Sequence, residues 1–312
     1  MLVYTHPACL DHQPGPGHPE HPGRLGAVLE ALKSAFADRL SFVEAPAATE
    51  TQLLRVHSAR LLAQLQQSSP DAGLFRIDAD TTMSPASLDA SLRCCGAVCA
   101  AVDAVMHGPG VRIFCALRPP GHHSTADQAM GFCLYNQIAV GAAHALEAHA
   151  LERVTIVDFD VHHGNGTQAI FIDDPRVQYV SSHQSPLYPG TGREAETVPD
   201  HLVNGVLLPG SGSSEFRRLW TERLLPAIDR FSPQLLLVSA GFDAHRLDPL
   251  ADLNLGADEY HWITLELMAL ADKHAGGRLV SALEGGYSLT ALRQCSVAHV
   301  GAMLAERTGV EG

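Results

Sequence analysis

Short apolar runs, mostly β-branched or aliphatic, recur along the chain and alternate with longer segments of helical character. Residues 111–117, 154–157, 235–240 and 278–283 form such runs, residues 2–4 make another at the N-terminus, and 177–181 and 203–208 read as further short strands of more mixed composition. The runs are nearly continuous rather than alternately apolar and polar, the pattern of parallel strands buried on both faces. Between them the pattern predicts helices over about 25–36, 49–67, 84–107, 137–150, 213–231 and 289–306. Thr49 and Ser84-Pro85 supply start signals for two of these. The alternation predicts an α/β fold around a parallel sheet. No Ser/Gly-rich or charged linker breaks it, so a single domain over residues 1–312 is expected.

A strand buried on both faces should carry no charge, yet several runs deliver reactive groups where they end. The 154–157 run leads directly into Asp158, Asp160, His162, His163 and Asn165. Side chains of an extended segment share a face at every second position, so Asp158, Asp160 and His162 converge on one volume if the backbone stays extended. Carboxylate and neutral imidazole make a partial ligand set for zinc or a similar divalent metal; a polar loop without a metal is the competing reading. The 111–117 run delivers His122 and His123 after a rigid Arg118-Pro-Pro-Gly loop, and the 235–240 run delivers Asp243. The 278–283 run delivers Glu284 and Tyr287, with Gly285 and Gly286 between them permitting a backbone that aims the phenol inward. A parallel sheet puts all of these ends on one edge, where open α/β sheets bind ligands. The repetition predicts an enzyme.

Composition narrows the classes. Apolar residues are 46% of the 312 and charged residues 18%, enough for a substantial core and unlike a disordered chain. The net charge of -13 opposes direct nucleic-acid binding and weakly favours cationic substrates, although solubility explains it equally well. Seven cysteines form neither a disulfide ladder nor C-x-x-C pairs, which fits a reducing compartment. The start of the chain lacks a basic segment followed by an apolar stretch, and no apolar run approaches the ~20 residues of a membrane span. A soluble, cytoplasmic protein is expected. A Pro-broken loop holds His18, Glu20, His21 and Arg24, and either a surface or a functional role fits it. His57, His144, His149, His261, His274 and His299 fall in helical stretches, where packing or solvation is the expectation.

The motifs R-P-P-G-H-H at 118–123, G-F-C-x-Y-N at 131–136, D-x-D-x-H-H-G-N-G-T at 158–167, S-A-G-F-D-A at 239–244 and E-G-G-Y at 284–287 occur in that order across most of the chain. Together they resemble the zinc-dependent histone deacetylase family. Asn165 and the E-G-G-Y form are similar to the class II branch, which includes bacterial deacetylase-like amidohydrolases and acetylpolyamine amidohydrolases. The resemblance implies the arginase-deacetylase fold, an α/β domain around a mostly parallel sheet of about eight strands. It implies one Zn²⁺ per subunit on Asp160, His162 and Asp243, and His122 and His123 as tandem acid/base groups. Asp158 would orient the first histidine and Asn165, an Asp in class I members, the second. Because an amide cannot stabilise imidazolium as a carboxylate does, the two histidines should differ in basicity. Tyr287 would bind the scissile carbonyl oxygen. Phe132 and Tyr188 would wall an acyl-lysine channel, with Gly131, Gly285 and Gly286 lining it; family members often have Phe at the second wall position. Asp158 and Ser181 match a monovalent-cation site, usually K⁺. Arg24 would lie at the inner end of the channel, where it attracts acetate, with pairing to Glu20 as the alternative.

The implied reaction is removal of acetyl or other acyl groups from acyl-lysine or related acylamines by metal-activated water. The implied partners are an acetylated lysine or an acetylated polyamine or other small acylamine, with no nucleic acid and no membrane; a homo-oligomer is compatible. Two other readings compete. An arginase-like site with two Mn²⁺ would need further carboxylates where Gly164 and His245 stand. A catalytically silent binding module would typically lack the tyrosine, which is present at 287. The substrate stays open: Asp248 and Asp252 are acids in the 247–253 segment, but the sequence does not place either at the mouth of a cleft.

Overall fold

The apolar runs become the strands of one sheet in the computed structural model, which describes residues 1–108 and 110–305. In chain order the strands are β1 (Leu2–Thr5), β2 (Ser41–Glu44), β3 (Phe75–Arg76), β4 (Thr82–Met83), β5 (Arg112–Cys115), β6 (Val154–Asp158), β7 (Val177–Gln184), β8 (Leu202–Leu207), β9 (Leu235–Ala240) and β10 (Leu279–Leu283). Eight of them form a sheet in the order β2-β1-β5-β10-β9-β6-β7-β8, and every pairing in it is parallel. The other two, β3 and β4, form a separate antiparallel hairpin. Every residue of β6, β7, β9 and β10 is buried, and β9 accordingly reads as a nearly continuous apolar run, whereas β7 buries Gln178, Ser181, Ser182, His183 and Gln184 as well.

Two groups of helices cover the sheet. Ser87–Met106 packs on Gln137–His149, whereas Leu289–Met303 packs on both Ala257–His274 and Gly23–Phe36. The four strands whose ends carry the reactive groups, β5, β10, β9 and β6, are consecutive in the sheet. They are far apart in sequence and side by side in space, and parallel pairing sends all four chains out at the same edge. Among the described residues no helix is long and apolar enough to cross a membrane.

Some elements differ from the sequence expectation. The 49–67 helix is two helices, Glu50–Leu53 and Ala59–Ser68, each with its own cap: Gln52 N donates to Thr49 Oγ1 (3.3 Å) and Leu61 N to Ser58 Oγ (3.2 Å). Between them His57 turns inward, bonding Thr125 O through Nδ1 (2.9 Å) and accepting from Asn136 N at Nε2 (2.9 Å). The 213–231 segment is helical but widens into a π turn over Trp220–Leu224, just ahead of Pro226, which has no amide proton to continue an ordinary turn. Edge strand β2 is half exposed, so it does not read as an apolar run. The last helix is described to Met303; its expected end at Glu306 lies outside the described residues.

His299, expected to be solvated or packed between helices, is fully buried against Phe114, Phe159 and Phe242, with ring centroids 5.7–5.8 Å apart. It bonds Thr264 Oγ1 (2.6 Å) and Ser281 Oγ (2.8 Å), and burial pushes its pKa down to about 3. The unfolded chain, with a histidine pKa of ~6.5, therefore binds a proton that the folded one refuses, and stability falls as pH drops below that value. His299→Gln should flatten this loss. Urea midpoints measured between pH 7 and 5 should show the variant losing ~2 kcal/mol less than the parent at pH 5, and an unchanged slope would contradict a neutral core imidazole.

Candidate active site

Strand β6 ends at Asp158 and the chain then bends rather than running on extended, so simple alternation does not place the three side chains. Each acid instead ties down the turn that follows it: Asp160 N donates to Asp158 Oδ1 (3.2 Å) and His162 N to Asp160 Oδ1 (2.9 Å). The expected convergence of Asp158 with Asp160 and His162 is replaced by a division. Asp158 turns to His122, Oδ2 to Nδ1, at 3.0 Å. Asp160 and His162 meet Asp243 from β9 instead, with His162 Nδ1 3.0 Å from Asp160 Oδ1 and 3.3 Å from Asp243 Oδ2.

One ligand atom from each of Asp160, His162 and Asp243 lies within 4.8 Å of the others, and all three residues are buried. The remaining atoms of the two carboxylates are held by backbone: Asp243 Oδ1 accepts from Val161 N (2.8 Å) and Asp160 Oδ2 from Gly285 N (2.8 Å). Asp243 Oδ2 is buried without a hydrogen bond. A Cβ on Gly285 would collide with Asp243 Oδ2, and one on Gly241 with Asp160 Oδ2, so glycine at both positions keeps room for the carboxylates. Burial disfavours a charge on His162, yet its hydrogen bond to Asp160 and the Asp243 carboxylate beside it raise its pKa to about 10. Burial likewise raises Asp160, but His122 and His162 hold it well below the usual carboxylate range. Two buried carboxylates facing one imidazole favour a cation between them. The donor set of two carboxylates and one imidazole fits zinc with coordination positions to spare.

The loop carrying His122 and His123 is fastened to the neighbouring strand end. Gly121 N (2.6 Å) and His122 N (3.3 Å) donate to Glu284 Oε2, and Ser239 Oγ donates to Glu284 Oε1 (3.1 Å). The two imidazoles lie 4.1 Å apart. Burial lowers His122, but Asp158 and Asp160 more than offset it, and its pKa stands well above the ordinary value. His123 is driven well below it by burial and then by the charges of His122 and His162. Its Nδ1 is 2.8 Å from Asn165 Oδ1, an acceptor, which places the proton on Nδ1 and leaves a lone pair on Nε2. The two histidines thus differ in basicity, but His123 is lowered by burial and by the imidazoles beside it, and its bond to Asn165 works the other way.

Tyr287 follows β10 with its ring 5.8 Å from that of Phe132 and nearly perpendicular to it. Gly131 and Phe132 both have positive φ, 56° and 67°, and a Cβ at 131 would press 2.6 Å from the His123 ring. Phe132 N donates to Thr81 Oγ1 (3.1 Å), so a residue of the β3–β4 hairpin holds this unusual backbone. Tyr188, 38% exposed, stands edge-on to His123 at 5.1 Å. Phe132 thus flanks Tyr287 and Tyr188 flanks the imidazoles. Beside Phe132 lies a cavity of about 600 Å³ between the 14–19 loop and the β3–β4 hairpin.

Other candidates are placed differently from the sequence reading. Arg24 heads the helix Gly23–Phe36 rather than lying in a loop, and it is fully buried. It pairs with Glu20 (3.0 Å), which also binds Arg118 (2.6 Å) and His12 (3.2 Å). Arg24 also donates through Nε to Gly286 O (2.6 Å) and through Nη2 to Glu284 O (2.5 Å), with its guanidinium 4.8 Å from the Tyr287 ring centre. Asp158 and Ser181 are register neighbours in β6 and β7, but Ser181 Oγ bonds His183 Nδ1 (2.9 Å), and Asp158 Oδ2 also accepts from Tyr179 Oη (3.1 Å). His163, which carried no role in the sequence, bonds Thr191 Oγ1 (2.8 Å), and His183 bonds Gly192 O (2.8 Å). Together they anchor the loop that presents Tyr188. A second cluster, Asp103 with His144 and His149, also has ligand atoms within 4.8 Å. Arg55 donates to His144 Nδ1 (2.7 Å), however, which fixes the His144 proton on the Nε2 that faces Asp103, so this cluster is a hydrogen-bonded clasp between two helices.

Comparison with known proteins follows the same geometry. A model of the histone deacetylase domain matches residues 18–303. A histone deacetylase-like amidohydrolase of Pseudomonas aeruginosa is 39% identical, the match covering 94% of this chain and 79% of the relative. A probable deacetylase of Archaeoglobus fulgidus is 36% identical over 92% of this chain and 81% of its own. The crystal structure of the HDA15 HD domain superposes with a TM-score of 0.92 at 33% identity, covering 99% of this chain and 89% of that one. The fold is therefore the α/β arginase-deacetylase type, with its parallel sheet of eight strands flanked by helices.

Two substitutions test the metal pocket. Asp243→Ala removes one donor and should abolish stoichiometric zinc binding, while Gly285→Ala, which pushes a methyl between the two carboxylates, should weaken it by at least ~10-fold. Zinc titration against a competing chelator reads both. Full retention of zinc by either variant would count against this pocket as the binding site.

Proposed function

The chain belongs to the histone deacetylase family, and on that premise we propose that it is a zinc-dependent amide hydrolase removing acetyl or other acyl groups from acyl-lysine or related acylamines. The observation that carries the reading is the meeting of Asp160, His162 and Asp243 with an unequal histidine pair and a tyrosine at four adjacent strand ends. Asp160, His162 and Asp243 would hold the zinc, which when bound would supply Lewis acidity to a water and to an amide carbonyl. His123, neutral and with its lone pair on Nε2, accepts the proton of the attacking water. His122, tied through Nδ1 to Asp158, keeps its own proton and assists, and acid catalysis then delivers a proton to the leaving amine. Positioned acid/base groups of this kind contribute ~10²–10⁴-fold. Tyr287 donates to the tetrahedral oxyanion, a contribution of roughly 3 kcal/mol. Phe132 and Tyr188 exclude water along the acyl chain. The products are acetate, or the corresponding acid, and a free amine.

The finer assignments belong to the same proposal. Gly131, Gly285 and Gly286 line the channel, and Arg24, beneath the Tyr287 ring, attracts the departing acetate. A K⁺ ion at Asp158 and Ser181 would add structural support. The chain works as one catalytic unit in the cytoplasm. An acetylpolyamine amidohydrolase is the second reading, favoured by the net charge of -13, which draws cationic substrates.

Tyr287→Phe should keep its zinc and lose roughly 10²–10³-fold in kcat. Near-normal turnover of that variant on an acetyl-lysine peptide would sink the mechanism. Substrate choice is read by assaying the zinc form side by side on acetyl-lysine peptide, acetylputrescine, acetylspermidine and longer acyl-lysines. Preference for the peptide supports the first reading and preference for the polyamines the second, whereas equal rates on all four would defeat narrow specificity.

A further inference from the structure

We propose that Asp248 is a positioning residue that sets the height and tilt of the Tyr287 phenol; this rests on the role of Tyr287 in amide hydrolysis proposed above. Asp248 lies five residues beyond Asp243, in the loop that leaves β9, and is only 8% exposed. Its Oδ2 accepts from Tyr287 N at 2.7 Å and its Oδ1 from Leu250 N at 3.1 Å. Its own amide donates to His245 O (2.8 Å). One carboxylate therefore joins the loop after β9 to the loop after β10.

The Tyr287 loop needs such a restraint. Gly285 and Gly286 precede the tyrosine, and Gly286 has a φ of +115°, so the chain there has little intrinsic stiffness. Side chains and backbone from other elements hold it: Asp160 takes Gly285 N, Phe242 N donates to Gly285 O, and Arg24 takes the carbonyls of Glu284 and Gly286. Those contacts all fall before Tyr287. Asp248 holds the amide of the tyrosine itself. A tilt of about 10° at the Cα carries a phenol oxygen by about 1 Å, and a misplacement of that size costs on the order of 10²-fold in rate. The competing account, in which Asp248 merely caps its own turn at Leu250, explains one of the two oxygens and leaves the other, shorter bond without a purpose.

The test is a double-mutant cycle on the full-length zinc enzyme, with Asp248→Ala, Tyr287→Phe and the double variant assayed on an acetyl-lysine peptide. Asp248→Ala should lower kcat roughly 10- to 100-fold, with zinc stoichiometry kept and KM little changed. In the Tyr287→Phe background it should cost almost nothing further. Equal losses in both backgrounds would overturn the proposal, because a general structural defect does not act through the phenol. Asp248→Asn, which can still accept from Tyr287 N, should keep most of the turnover, and a loss as large as that expected for Asp248→Ala would count against the hydrogen bond as the positioning device. Crystal structures supply a readout independent of catalysis: residues 284–287 displaced with Asp160, His162 and Asp243 unmoved support the role, and an unmoved Tyr287 refutes it. If the parent and Tyr287→Phe are equally inactive while the structures show that displacement, the hydrolase reading fails and the positioning role stands.

Discussion

Asp158, Asp160, Asp243 and Glu284 are all buried where adjacent strands end, and an ionised carboxylate out of water is costly unless charge and hydrogen bonds compensate it. Much of the site follows from this constraint. Asp158 is matched by His122 and Tyr179, Asp160 by His162 and the Gly285 amide, and Glu284 by Ser239 and two amides of the histidine loop. Asp243 alone keeps a buried oxygen without a hydrogen bond. That oxygen belongs to the group of Asp160, His162 and Asp243 whose ligand atoms lie within 4.8 Å of one another. Behind Tyr287 the sign reverses, since Arg24 and Arg118 share the single carboxylate of Glu20. The phenol therefore lies between an acidic pocket and a basic one; burial, Asp243 and Asp160 raise its pKa well above the ordinary value, and Arg24 opposes them.

Topology makes this concentration of charge feasible. Because β5, β10, β9 and β6 are neighbours and parallel, four loops leave the sheet together, and those after β5, β10 and β6 supply backbone donors to acids of the others. The acids in turn fix the loops. Glu284 binds amides of the β5 loop, Asp160 one of the β10 loop, Asp243 one of the β6 loop and Asp248 one of the β10 loop. The loops are short of regular structure but not of constraint.

The strands around the site were legible in the sequence for a physical reason: burial on both faces enforces continuous apolar runs, and a charge just past such a run stands out. The identities of the ligands were less legible. Periodicity grouped Asp158 with Asp160 and His162, whereas the bend after β6 sends Asp158 to His122. The division of roles came from the family resemblance, and so did the pairing with Asp243. Edge strand β2 and the break at His57 were hidden because neither leaves a run or a Pro/Gly signal. Thr81 was invisible, His163 had no assigned role and Asp248 was an acid without a place, since each makes a hydrogen bond to a loop distant in sequence. Arg24 was read with two alternatives, and both of its neighbours, Glu20 and the E-G-G-Y segment, are in contact with it.

The position of the site within the sheet also bears on its lifetime. Strands fray from the edges inward, and here the edges are β2 and β8, with β1 and β7 next to them. The site strands occupy the middle, where opening requires the cooperative loss of the whole sheet rather than a local fluctuation. Amides of β9 and β10 should thus exchange with solvent only as often as the entire molecule unfolds. The strands beneath the candidate site are therefore lost only with the sheet, whereas the loops that leave them depend on the hydrogen bonds between their acids and amides.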